Sequence, residues 1–152
     1  MAGTWSRTLP RATALPYAGA MRRHGPAPSA EEIEAIARAA LDALPPAFAS
    51  HLGEVVLSVE EFADEVTLAD LGIADPFEPR GLYEGIPLTE KSVAQSGGLP
   101  DRVRLFRRPI LDEWTDGEDT LEHLVGHVLI HEIGHHFGLG DSDMHALEVS
   151  AG

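Results

Sequence analysis

A long helix is predicted near the C-terminal end of the chain, from about Thr120 to Phe137. Acidic residues precede its start, and Gly138 and Gly140 break the helical pattern at its end. Residues four positions apart lie on the same face of a helix. Histidines recur at this spacing along the segment, so it is predicted to present imidazoles on one side: His123, His127, His131 and His135.

The sequence His131-Glu132-Ile133-Gly134-His135 fits a metal site on this helix. The two imidazoles are about one helical turn apart, so both can reach one ion. Glu132 is rotated away from the ligand axis, where its carboxylate can take a proton from a water molecule that the metal activates. This combination supplies the nucleophile for hydrolysis of an amide bond.

A catalytic zinc site usually has three protein ligands, and the residues after the helix offer the third. Gly138 can adopt the left-handed conformation that ends a helix and reverses the chain. Asp141 can then turn back towards the ion and is predicted to be the third ligand, with Asp143 and His145 as alternatives. The chain has no cysteine, so any metal site must be built from His, Asp and Glu.

The other histidines of this region are predicted to be structural. A stripe of residues four apart drifts by about 40° per step, which carries His123 too far round to reach the same ion. His136 points off the ligand face, and for His127 the alternative is a role in orienting a ligand. Tyr83 is predicted to pack in the core, with donation to an oxyanion as the alternative. Met144 and Leu147 are predicted core residues.

The remaining segments predict an α+β fold. Ser29 and Glu32 form a capping box that begins a helix ended by Pro45-Pro46. The order of further predicted elements is a helical turn to Leu52, a buried strand at Val55–Val59, a short helix at Glu65–Gly72, a strand at Leu82–Leu88 with Gly85 at a bulge, a turn at Gln95–Asp101, a half-buried antiparallel strand at Arg102–Arg108, a short helix from Pro109 to Trp114, and a last helix from Asp141.

The pattern HExxHxxGxxD at residues 131–141 resembles the zincin signature in its aspartate-terminated form. The chain is similar to a family of small bacterial zincin-like metallopeptidases over about residues 30–149, including Gly81–Gly85 and Arg104–Pro109. The resemblance implies a zincin-like domain with a small mixed or antiparallel sheet packed on helices, among them a long active-site helix. It also implies that His131, His135 and Asp141 bind Zn²⁺ and that Glu132 is the general base.

Charge and composition limit the partners and the location. All 25 acidic residues lie at or after Glu31, and that part carries only 7 of the 11 basic residues. Such a surface repels phosphate backbones, so no nucleic-acid partner is expected. No apolar run approaches the roughly 18 residues that would span a bilayer. The lack of cysteine and of a signal peptide favours the cytoplasm. Residues 1–28 are predicted to be a flexible arm, and 29–152 one domain.

The sequence therefore predicts a zinc-dependent peptidase, and more narrowly an endopeptidase, acting on a peptide or protein substrate. The alternative is a catalytically weak or inactive zinc-binding module for protein interactions. Because extended peptides can add to a sheet edge, Leu82–Leu88 and Arg102–Arg108 are predicted to align the substrate.

Overall fold

The computed structural model describes residues 25–52, 54–85 and 100–151. Within these ranges the chain forms six helices and three strands. In chain order they are α1 (Ala30–Asp42), α2 (Pro46–Leu52), β1 (Val55–Glu60), α3 (Glu65–Leu71), β2 (Gly81–Glu84), β3 (Asp101–Phe106), α4 (Arg107–Asp116), α5 (Leu121–His136) and α6 (Asp141–Ala151). The α+β prediction is confirmed. Most of the predicted arm, residues 1–24, lies outside the described residues.

Local chemistry sets several helix ends as predicted. The Ser29 hydroxyl accepts from the Glu32 N–H at 3.1 Å, and the Glu32 carboxylate accepts from the Ser29 N–H at 2.7 Å, which completes the capping box of α1. The Asp64 carboxylate caps α3, and Gly72 ends it with φ +68°. A left-handed residue at this position satisfies carbonyls that the helix leaves over, and glycine adopts it without steric cost.

The sheet is mixed and has the order β1-β3-β2 among the described strands. Strand β3 pairs in parallel with β1 and antiparallel with β2. The prediction of a buried strand at Val55–Val59 is wrong in part: β1 lies at an edge, Leu57 is its buried residue, and Val56 is 42% exposed. An apolar, β-branched run indicates a strand, but its burial depends on which segments pack beside it.

Strand β3 corrects a second prediction. Alternation of Val103 and Leu105 with Arg102 and Arg104 predicts a half-buried strand with the arginines on the solvent face, yet Arg104 is 6% exposed in the central strand. The strand also ends at Phe106, because Arg107 and Arg108 belong to α4. The Arg104 guanidinium bonds the Glu60 carboxylate of β1 at 2.6 Å and the Glu84 carboxylate of β2 at 3.0 Å. These charge-assisted bonds compensate for burial of the cation and join all three strands.

Strand β2 matches the first part of the predicted strand Leu82–Leu88, and residues 86–88 of that prediction lie outside the described residues. It ends at Glu84, Gly85 follows in a bend, and residues 86–99 lie outside the described residues, as does most of the predicted turn at Gln95–Asp101. Helix α5 packs against β2 and β3 of the sheet and against α1, α4 and α6. None of the helices in the described part of the chain has both the length and the apolar composition needed to span a bilayer.

Candidate metal centre

Helix α5 is buried on most of its surface. Thr120 caps it by accepting from the His123 N–H at 3.1 Å, and Phe137 follows its last turn. Residues that face the sheet, α1 and α6 are 8% exposed or less: Leu121, Leu124, Val125, Val128, Leu129, Ile130 and Ile133. A stripe holding His127, His131, Glu132 and His135 stays partly accessible. The apolar residues thus fix the rotation of the helix and decide which side chains can meet a ligand.

His131 and His135 converge as the motif predicts. The Nδ1 atom of His131 lies 3.3 Å from the Nε2 atom of His135. At this distance one ring donates a hydrogen bond to the other in the metal-free protein, in a direction set by the tautomers. Two nitrogens bound tetrahedrally to one zinc at 2.0–2.1 Å would also lie about 3.3 Å apart, so the spacing of the two rings is compatible with binding one ion. Burial, followed by the neighbouring His127 and His135, lowers the pKa of His131. That favours the neutral imidazole, which is the form that binds metal.

Glu132 lies between α5 and β2. Its carboxylate accepts a hydrogen bond from the backbone N–H of Tyr83, and its Cγ lies against Gly81, where an added Cβ would approach to 3.2 Å. Burial raises the pKa of Glu132, with His135, the Tyr83 N–H and Arg80 opposing the rise. The carboxylate is therefore oriented by β2 and is more basic than one in water.

The turn after α5 forms as predicted. Gly138 has φ +68°, and the Leu139 N–H bonds the Gly134 carbonyl at 2.9 Å, which ends the helix and reverses the chain. Asp141 begins α6, but its side chain lies outside the described residues. Among the side chains that are described, no three His, Asp or Glu residues are grouped so that they could hold one metal ion. Asp141 as third ligand, with Asp143 and His145 as alternatives, stays a prediction.

Helix α6 packs beneath the motif. Met144 and Leu147 are 2% and 8% exposed, as the sequence predicted. The Nδ1 atom of His127 lies 2.5 Å from Oε1 of Glu148, which pairs α5 with α6. The His127 ring centre is 4.7 Å from that of His131. His127 is thus a structural partner of α6 that also touches a proposed ligand. The sequence analysis did not single out Glu148. Its spacing of four residues from the predicted core residue Met144 places it on the same face of α6, which could have indicated a contact with α5.

Tyr83 is held at three points. Its hydroxyl donates to the Asp101 carboxylate at 2.7 Å, its ring stacks on His136 with centres 4.1 Å apart, and its backbone N–H binds Glu132. Asp101 is only 4% exposed. Because the hydroxyl proton is directed to Asp101, the packing role predicted for Tyr83 fits its contacts better than donation to an oxyanion.

Comparison with protein families agrees with this geometry. A family model described as zincin-like metallopeptidase matches residues 52–151, which run from the end of α2 to the end of α6. This chain belongs to the zincin-like metallopeptidase family. A comparison with curated proteins found no match. The matched region contains β2, the helix with the two converging histidines and the turn that follows it, so the features that define the candidate centre lie within the zincin-like part.

One residue beside the zincin-like centre was not singled out from the sequence. Arg80 directly precedes β2, and its Nη1 atom lies 2.8 Å from both carboxylate oxygens of Glu113 on α4. Its positive charge lowers the pKa values of His131 and Glu132, although burial is the largest influence on each. The sequence signal that could have indicated Arg80 is its position just before Gly81–Gly85, a segment in which the chain resembles the zincin-like family.

Proposed function

We propose that the chain is a zinc-dependent endopeptidase in which Glu132 is the general base. His131 and His135 are two of the metal ligands, and Asp141 is the third. The observation that carries the proposal is the 3.3 Å approach of the two imidazole nitrogens beside a carboxylate that β2 holds in place. Zinc bound there would act as a Lewis acid, polarising the scissile carbonyl and lowering the pKa of water.

Glu132 is suited to move the proton in this reaction. Burial raises its pKa towards the range in which a carboxylate works as a base near neutral pH. The Tyr83 N–H fixes the direction of the carboxylate, so the base need not be ordered when substrate arrives. After accepting a proton, the same carboxyl group would deliver it to the leaving amine.

Strand β2 has one edge that no other described strand covers, and this edge supports alignment of an extended substrate. The Phe106 N–H donates to the Arg80 carbonyl at 2.9 Å. Hydrogen-bonded pairs alternate along an antiparallel ladder, so the backbone N–H and C=O groups of Gly81 and Tyr83 face away from β3. Glu132 takes the Tyr83 N–H, which leaves both Gly81 groups and the Tyr83 carbonyl for a peptide. A peptide can add to that edge beside Glu132. The prediction that Arg102–Arg108 also aligns the substrate is wrong, because β3 is paired with β1 on one side and β2 on the other and has no open edge.

The test compares wild type, Glu132→Gln and the control Glu122→Gln, which alters an exposed carboxylate in the first turn of the same helix. Bound zinc is quantified, and cleavage of a diverse peptide library is read by mass spectrometry. We expect all three proteins to hold about one zinc and only Glu132→Gln to lose cleavage. If all three bind zinc and none cleaves, the interaction-module alternative replaces the peptidase. If none binds zinc, the metal centre itself is wrong.

A further inference from the structure

Arg80 places a positive charge at one end of the candidate centre. It lies one residue before Gly81, whose backbone touches Glu132, and its charge acts on both Glu132 and His131. The other described arginines contact residues outside the candidate centre. Their contacts are Arg38 with Glu34, Arg102 with Ser58, Arg104 with Glu60 and Glu84, Arg107 with Glu61, and Arg108 with Phe62. Among the described arginines, Arg80 is therefore the one whose charge acts on the candidate centre.

The contact with Glu113 occupies only one nitrogen of the Arg80 guanidinium. Both bonds to Glu113 use Nη1, so that carboxylate does not take the Nε–Nη2 edge. This edge can bind a second carboxylate through two parallel N–H bonds. The Arg80 side chain is 33% exposed and that of Glu113 is 46% exposed, so the pair lies where a ligand can reach it.

Strand direction determines which part of a substrate meets Arg80. The backbone groups of Gly81 and the carbonyl of Tyr83 face the edge of β2 that no described strand covers, and Glu132 lies beside these two residues. The scissile bond of a bound peptide would therefore be opposite Gly81–Tyr83. A peptide that pairs antiparallel to β2 runs in the reverse direction, so its C-terminal part passes the start of β2. Arg80 would then face the first residues after the scissile bond.

We propose that Arg80 binds a carboxylate on the C-terminal side of the scissile bond, and that the protein prefers peptides that carry one there. The carboxylate comes from an acidic side chain or from a free C terminus. This inference rests on the proposed function, because it uses the same peptide alignment. The net negative charge of the domain does not oppose it strongly, since distant exposed charges are screened beyond about 8 Å at physiological ionic strength.

The test measures peptide binding separately from cleavage. Zinc-loaded Glu132→Gln protein is titrated with fluorescent peptides of one neutral sequence, in an amidated form, a form with a free C terminus and an amidated form with one internal Glu. Anisotropy gives each dissociation constant. Adding Arg80→Gln should weaken binding of one or both carboxylate peptides about tenfold and leave the neutral amide unchanged. The peptide that responds identifies the source of the carboxylate.

Three further variants separate recognition from structure. Arg108→Gln, which removes an exposed arginine near Phe62, should change none of the dissociation constants. Arg80→Lys should restore part of the preference, because it keeps the charge without the planar fork. Glu113→Gln should strengthen binding of the carboxylate peptides if Arg80 is a binding residue. If the pair is only structural, Glu113→Gln should instead weaken binding as Arg80→Gln does, and that result would overturn the inference.

The second measurement compares the cleavage profiles of wild type and Arg80→Gln on the peptide library. Loss of the carboxylate preference in the library profile of Arg80→Gln, measured as the ratio of carboxylate-bearing to neutral peptides among the products, supports the inference. The overall rate is not used for this comparison, because the charge of Arg80 also acts on His131 and Glu132. An identical profile with and without Arg80, or equal binding of all peptides by both proteins, rejects it and leaves the peptidase proposal in place. If wild type binds the carboxylate peptides through Arg80 but cleaves no peptide, the peptidase proposal is rejected. The proposed carboxylate site at Arg80 is then retained.

Discussion

Gly134 of α5 lies directly against Met144 of α6. A Cβ added to Gly134 would lie 2.7 Å from Cγ of Met144 and closer still to its Sδ atom. Met144 is 2% exposed, so it has little room to move aside. The glycine inside the metal motif thus allows α6 to approach the helix between the two proposed ligands, His131 and His135. Stability of the fold and geometry of the proposed metal centre are coupled at this contact.

Gly134→Ala should lower the free energy of unfolding of the metal-free protein by about 1–3 kcal/mol, because the added methyl group overpacks the contact with Met144. It should also weaken zinc binding, since α6 must move away from α5. Urea denaturation and a zinc titration measure the two effects. Gly126→Ala is the matched control, as its Cβ would meet Ala40 at an ordinary 3.9 Å, and it should be neutral or stabilising. Equal effects at the two glycines would contradict this explanation.

Gly81→Ala should reduce cleavage without reducing zinc content. The new Cβ would lie 3.2 Å from Cγ of Glu132 and equally close to side-chain atoms of Leu105 and Val128. The two apolar neighbours are buried, so the adjustment falls largely on Glu132 and shifts its carboxylate. Misplacement of a base lowers kcat, here by roughly tenfold or more. Steady-state kinetics on zinc-quantified protein measures the effect, and an unchanged kcat would show that Glu132 tolerates the displacement.

Glu132→Gln should stabilise the metal-free protein at neutral pH. Burial raises the pKa of Glu132 in the folded state above its ordinary value of 4.5. The folded state then disfavours the charged carboxylate, so wild type loses stability as pH rises from about 4.5 through the raised value. Glutamine has no such charge, so the advantage of the variant should appear over that interval and vanish at lower pH. Thermal unfolding with a chelator present, across this pH range, measures the difference. A variant less stable than wild type at neutral pH would contradict the sign.

Tyr83→Phe should lower the free energy of unfolding by about 1–3 kcal/mol, because the buried Asp101 carboxylate loses a hydrogen-bond donor. A double-mutant cycle with Asp101→Asn isolates the pair. We expect a coupling energy of about 1 kcal/mol or more between Tyr83 and Asp101 in urea denaturation. Additive effects of the two substitutions would mean that the 2.7 Å contact contributes nothing specific.

The features predicted well from the sequence depend on residues close together in the chain. The capping box of Ser29 and Glu32, and the left-handed Gly138, each follow from chemistry within one or two helical turns. The approach of His131 to His135 has the same origin, since helical periodicity alone places them on one face. Asp141 stays a prediction, because its side chain lies outside the described residues.

The features that were missed depend on partners distant in sequence. Alternation placed Arg104 on the solvent face, but Glu60 and Glu84 arrive from two neighbouring strands and allow its burial. The Arg80–Glu113 and His127–Glu148 pairs likewise join different elements. Strand order could not be read from local periodicity, since each strand carries the same kind of pattern whether it lies at the centre or at an edge.

The strand order also determines how the proposed site can open. Among the described strands, β2 is joined to the sheet only through β3. Such a four-residue edge strand can detach as a local unfolding unit while β1, β3 and α5 remain intact. The amide hydrogens of Gly81 and Tyr83 both face the free edge, but that of Tyr83 is bound to Glu132. Hydrogen exchange at Tyr83 therefore reports directly on whether the Glu132 carboxylate, the proposed base, is docked against the strand.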